Sequence, residues 1–191
     1  MDEKRDILVL TTGGTIEKSA SIESDWDPYF NGKTTVNDAL DALRAEGRLD
    51  ASLGTIRVEP ICQRISDYIT DDDLQNIVDA IKKAPQSRIV ITQGTDAMPE
   101  NTRKLADMLT SQGIEGKIIV VTGAMKPIAV GQESDGFENL IHAVDVALHN
   151  AKHGVSIVMH GLVFDPKHVR KDEEGAVFVS SDSNPTHSRG A

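Results

Sequence analysis

The stretch Leu8–Ala20 reads LVLTTGGTIEKSA. An apolar run passes into Thr11 and Thr12, then the pair Gly13-Gly14, then Thr15. A turn after a strand needs a glycine, but it does not need hydroxyls on both sides of a glycine pair. A related form returns twice further along: SRIVIT runs into Gln93, Gly94, Thr95 and Asp96, and KIIVVT runs into Gly123 and Ala124. With TIRVEP, GVSIVMH and GAVFVS, the chain holds six short runs rich in Val and Ile. They are mostly continuous rather than alternating, the pattern of strands covered on both faces.

Helical periods lie between these runs. One covers about 35–47, with Val36, Leu40 and Leu43 on one side. A second opens at Thr70, an N-cap followed by Asp71–Asp73 in the first turn, and Pro85 ends it. A third runs from about Pro99 to Gly113, and a fourth from about Ser134 to His153. Strand and helix alternate, which predicts an α/β fold: a doubly wound, mostly parallel sheet with helices on both faces. A single domain is expected over 1–180, with a flexible tail at 181–191. The polar segment 18–34 is too long for a tight connection and reads as a lid or binding loop.

The 191 residues carry 20 Lys+Arg against 30 Asp+Glu, a net charge of −10. That balance argues against nucleic acid and against an anionic membrane surface as partners. The single cysteine, Cys62, cannot close an internal disulfide, and the N-terminus resembles neither a signal peptide nor a membrane span. A cytoplasmic location follows as the expectation. His149 and His153, four apart, could pair on a metal, but no third ligand is evident, and cations near a helix C-terminus are the plainer reading. Asp71–Asp73 lack the ligand spacing of a calcium loop. Ser134, Asp135, Gly136 and Asn139 read as shaping a loop and capping the fourth helix. No metal and no organic cofactor is expected.

In a doubly wound sheet the ligand lies beyond the carboxyl ends of the strands. The first strand delivers Thr11, Thr12 and Thr15 there, the SRIVIT strand delivers Gly94, Thr95 and Asp96, and a later run ends in Lys171. Taken singly, each has a plainer reading: Thr95 or Asp96 as a helix cap, the glycine pair as a turn, Lys171 as a solvated cation. The glycine pair fits neither the dinucleotide nor the P-loop spacing.

TTGGTIEKS together with ITQGTDAMPENT resembles the bacterial-type L-asparaginase family. VVTGAMKP, SDGFENLIHAV and VRK follow in that family's order, so the resemblance extends from Ile7 to about Lys171. It implies an amidohydrolase that converts L-asparagine and water to L-aspartate and ammonia through a threonine acyl-enzyme. Thr15 would be the nucleophile, assisted by a tyrosine of the mobile loop, for which Tyr29 is the candidate. Thr95 and Lys171 would relay a proton, the lysine charge lowering the proton affinity of the hydroxyl. Asp96 would hold the substrate's ammonium, Ser66 its carboxylate, and the backbones of Gly94 and Ala124 would line the pocket.

The sequence departs from the pattern in two places. Gln93 and Ala97 stand where His and Thr are common, and the chain ends soon after Lys171, before the second domain of longer members. A short member, working as a homodimer or homotetramer, is therefore expected. An amidotransferase subunit supplying ammonia to misacylated tRNA and a non-catalytic amino-acid-binding module are the competing readings.

Overall fold

The computed structural model describes residues 5–18, 35–150, 152–172, 174 and 177–181. Tyr29, almost all of the expected lid and the tail beyond Ser181 lie outside them.

Six strands form one sheet: β1 (Arg5–Gly13), β2 (Leu53–Arg64), β3 (Arg88–Thr92), β4 (Ile118–Thr122), β5 (Gly154–Met159) and β6 (Leu162–Phe164). Their order is β2-β1-β3-β4-β5-β6. The first five are parallel and β6 returns antiparallel beside β5. Chain order reverses at β1, which lies between β2 and β3, so the crevice beyond the ends of β1 and β3 is the topological switch point.

Four helices flank the sheet: α1 (Thr35–Ala45), α2 (Asp71–Lys83), α3 (Met98–Ser111) and α4 (Gly136–His149). The continuous apolar runs feed two cores. Ile7 and Val9 face a layer with Val36, Leu40, Leu140 and Val144 of α1 and α4. Leu8 and Leu10 face a layer with Leu74, Ile77, Leu105 and Leu109 of α2 and α3. All four β1 side chains are at most 1% exposed, and each such burial contributes about 1.5–3 kcal/mol.

The helix signals act as read. Thr70 caps α2 in a reciprocal box: its Oγ1 accepts from the Asp73 amide at 3.2 Å, and Asp73 Oδ2 accepts from the Thr70 amide at 2.9 Å. The fourth helix is shorter than expected, because Asn150 is already extended with ψ at 126°, and His153 lies beyond its end.

Two strands were not expected. β6 is three residues long, and β7 (Val169–Lys171) pairs antiparallel with β8 (Phe178–Ser180) in a separate ribbon. The GAVFVS run thus supplies β8 of that ribbon rather than a strand of the main sheet.

Candidate functional site

β1 ends in Thr11, Thr12 and Gly13, and the chain turns at Gly14 into a single 3₁₀ turn, Thr15–Glu17. Gly14 adopts φ 78° and ψ −178°, a region almost confined to glycine. A Cβ there would lie 2.2 Å from the Gly94 nitrogen. The loop after β1 therefore rests directly on the loop after β3, and two threonines, each next in sequence to its glycine, come to the same crevice. Thr12 fastens the pair further, its hydroxyl donating to the Thr92 carbonyl at 2.9 Å.

Glu17 had no assigned role, yet it is only 4% exposed and its Oε2 accepts from the Gly13 amide at 2.8 Å. The signal was within the motif: an acid four residues after Gly13, on a turn too short to hold a charge facing solvent on every side. Cys62 borders the same loop, its thiol donating weakly to the Thr12 carbonyl at 3.7 Å. Burial, then the charge of Asp73, pushes this thiol up to about 12. It is protonated at neutral pH and is no nucleophile.

After β3, Gln93 and Thr95 are buried while Asp96 is exposed. Neither Thr95 nor Asp96 caps α3, whose N-cap is Ala97 with no side-chain bond of its own. Ser66, from the turn that follows β2, performs that task from outside: its Oγ accepts from the Ala97 amide at 3.0 Å, and its carbonyl accepts from Asn101 Nδ2 at 2.9 Å. Ser66 thus packs against Gly94, where a Cβ would meet its Oγ at 3.2 Å. Its hydroxyl proton is left for another acceptor.

Thr95 and Asp96 turn instead to Lys171. From β7, its Nζ donates to Thr95 Oγ1 at 3.2 Å and to Asp96 Oδ1 at 2.6 Å. The Lys171 side chain is 14% exposed against 72% for Asp96, so the pair joins a half-enclosed ammonium to a carboxylate at the rim. Lys171 reaches the crevice because the β7–β8 ribbon lies beside α3, where Arg103 donates to the Pro166 carbonyl at 3.0 Å.

The loop after β4 closes a further side. A Cβ on Gly123 would meet the Gln93 carbonyl at 2.3 Å and Thr95 Cγ2 at 3.2 Å. Ala124 is fully buried, and its methyl belongs to the core under α1 and α4, so only its backbone can face the crevice.

Asp135 is the N-cap residue of α4 but makes no side-chain cap bond; it shapes the loop instead, its Oδ1 and Oδ2 accepting from the Met125 amide at 3.0 Å and Oδ1 from the Lys126 amide at 2.9 Å. Asn139 ties two loops together, donating to the Gly123 carbonyl at 3.0 Å and accepting from the His160 amide at 2.9 Å. The sequence signal for this bracing was an asparagine at helical spacing with Ala143, Val144 and Ala147, on an otherwise apolar helix face.

The structure thus brings Thr15, Ser66, Gly94, Thr95, Asp96, Ala124 and Lys171 to the carboxyl edge of one sheet. A separate concavity of about 350 Å³, bordered among others by Arg103, His153, Phe164 and Lys167, opens at the Gly154 end of β5 and touches none of these residues. Among the described residues, no helix is long and apolar enough to cross a membrane.

Residues 6–185 match the family described as "Asparaginase, N-terminal". The glutaminase-asparaginase of Acinetobacter glutaminasificans is 30% identical over 174 residues, covering 88% of this chain and 50% of that protein. The crystal structure of a probable cytoplasmic L-asparaginase from Campylobacter jejuni superposes with a TM-score of 0.74 at 25% identity, over 94% of this chain and 54% of that one. The chain thus spans about half the length of these relatives. The crevice built on TTGGT and QGTD, held in a sheet matched over nearly its whole length, places this chain in the asparaginase family, within that family's N-terminal domain.

Proposed function

We propose that this chain hydrolyses the side-chain amide of L-asparagine, giving L-aspartate and ammonia. The observation that carries the reading is Lys171 Nζ bonded to both Thr95 Oγ1 and Asp96 Oδ1 across 76 and 75 residues of sequence, on a loop whose Gly94 packs against Gly14, the neighbour of Thr15. A half-enclosed lysine held on a threonine hydroxyl is of little use to a binding module, which gains nothing from a proton relay.

In this reading, Thr15 Oγ attacks the amide carbon. Its proton passes to a neighbouring base, for which Tyr29 is the candidate. Backbone N–H groups about the glycines hold the developing oxyanion. The carbon–nitrogen bond breaks as the leaving nitrogen takes up a proton, and ammonia departs. Water held by Thr95 then attacks the ester, its proton passes to the departing Thr15 Oγ, and the Lys171 charge lowers the proton affinity of the Thr95 hydroxyl on that path. Asp96 Oδ1 is engaged by Lys171, so the substrate ammonium takes Oδ2, which has no partner among the described residues. Ser66 donates its hydroxyl proton to the substrate carboxylate.

Glutamine is a second substrate to consider, since the Acinetobacter relative is named for both amides. A two-fold or higher assembly completes the crevice from outside, because a small polar ligand at an open sheet edge stays partly solvated and its hydrogen bonds stay weak. A coupled ammonia-release assay with L-asparagine, L-glutamine and D-asparagine in parallel tests the reading. Turnover of L-asparagine is expected. Binding of aspartate without release of ammonia from any of the three would reverse it in favour of a binding module.

A further inference from the structure

His149 was weighed with His153, but the structure separates them and gives His149 other neighbours. α4 ends at His149, and one turn back along it Asp145 presents its carboxylate to the same ring nitrogen. Asp50, from the segment leading into β2, approaches from the other side. Nε2 of His149 lies 3.1 Å from Asp50 Oδ2 and 3.5 Å from Asp145 Oδ1. One ligand atom from each of the three lies within 4.8 Å of the others.

We propose that Asp50, Asp145 and His149 form a three-ligand site for a divalent transition-metal ion of the zinc class. Zinc–nitrogen and zinc–oxygen bonds of about 2.0–2.1 Å at a tetrahedral centre set neighbouring ligand atoms about 3.3–3.4 Å apart. The two separations from Nε2, 3.1 and 3.5 Å, bracket that edge. A single Nε2–H can point at only one carboxylate, whereas a metal at the centre of the triangle bonds all three atoms at once.

The surroundings add to this. The Ser52 amide donates to Asp50 Oδ1 at 2.6 Å, fixing that carboxylate and leaving Oδ2 directed at the imidazole. Outer contacts of this sort orient metal ligands. The C-terminal end of α4 adds its own negative field. Arg5, the cation at the start of the adjacent strand, donates to the Leu148 carbonyl at 2.7 Å rather than to the carboxylates. All three side chains are partly exposed, so an ion can enter and solvent can fill the fourth position. The site lies at the amino ends of the strands, across the sheet from Thr15 and Lys171. Its role is to tie α4 to the entry of β2, not to take part in chemistry.

The test is titration of the untagged full chain with Co²⁺, read by visible absorption, with Zn²⁺ as competitor. Intense tetrahedral bands should saturate at one equivalent and vanish on adding Zn²⁺. The melting temperature should rise by roughly 5 °C or more with Zn²⁺ a hundredfold above its Kd. Asp145→Asn and His149→Gln should each lose bands and stabilisation, while His153→Gln keeps both. Absence of saturable bands in the wild type would overturn the site, as would bands retained at one equivalent in His149→Gln.

Discussion

A Cβ at position 14 would stand 2.2 Å from the Gly94 nitrogen, on a backbone at φ 78° that other residues avoid. Gly14→Ala should therefore cost about 2 kcal/mol or more, combining backbone strain with a clash that only main chain could relieve. A lowered urea midpoint at unchanged m value would register it. The same logic explains why the glycine pair was legible in sequence while its reason was not: the contact spans two loops 80 residues apart. Thr95 and Lys171 are bound at 3.2 Å, and the proposed mechanism sets both on one proton path. Removing either should lower kcat on the order of 10²-fold or more, and removing both should cost much less than the product of the two. Losses that simply multiply would mean that the two residues act independently.

At the scale of elements, the fourth helix does more than cover the sheet. Asn139 holds the Gly123 carbonyl and the His160 amide, so Asn139→Leu leaves two main-chain groups in need of partners. Each such loss costs about 1–3 kcal/mol, and the combined drop should appear in thermal melts as a shift of several degrees. A change within experimental error would show that solvent reaches both groups. The parallel strands were readable because burial on both faces leaves continuous Val and Ile runs, as in Ile118–Val121. The capping box at Thr70 was readable because it is local. β6 and β7 were not, because three-residue strands carry no period, and their pairing is set by neighbours rather than by their own composition. Ser66 was placed by resemblance alone. Its service to the Ala97 amide joins residues 31 apart and leaves no mark in the sequence.

For the molecule as a whole, the switch point of the sheet gathers the candidate residues, and the likeness to asparaginases extends over nearly all of the chain. The crevice stands at the rim, where Asp96 is 72% exposed, so a partner subunit's wall would deepen it. Specific activity should accordingly fall along a dilution series, in step with loss of the assembly measured by light scattering. Full specific activity in a dissociated monomer would contradict a shared site.

The central claim is that Thr15 carries the covalent chemistry of amide hydrolysis, and steady-state ammonia release by the wild type and by Thr15→Ala tests it most directly. The account predicts steady turnover of L-asparagine by the wild type. It also predicts a loss on the order of 10³-fold or more in kcat for Thr15→Ala, with circular dichroism and melting temperature unchanged. Wild-type turnover in Thr15→Ala, with the fold intact, would contradict it.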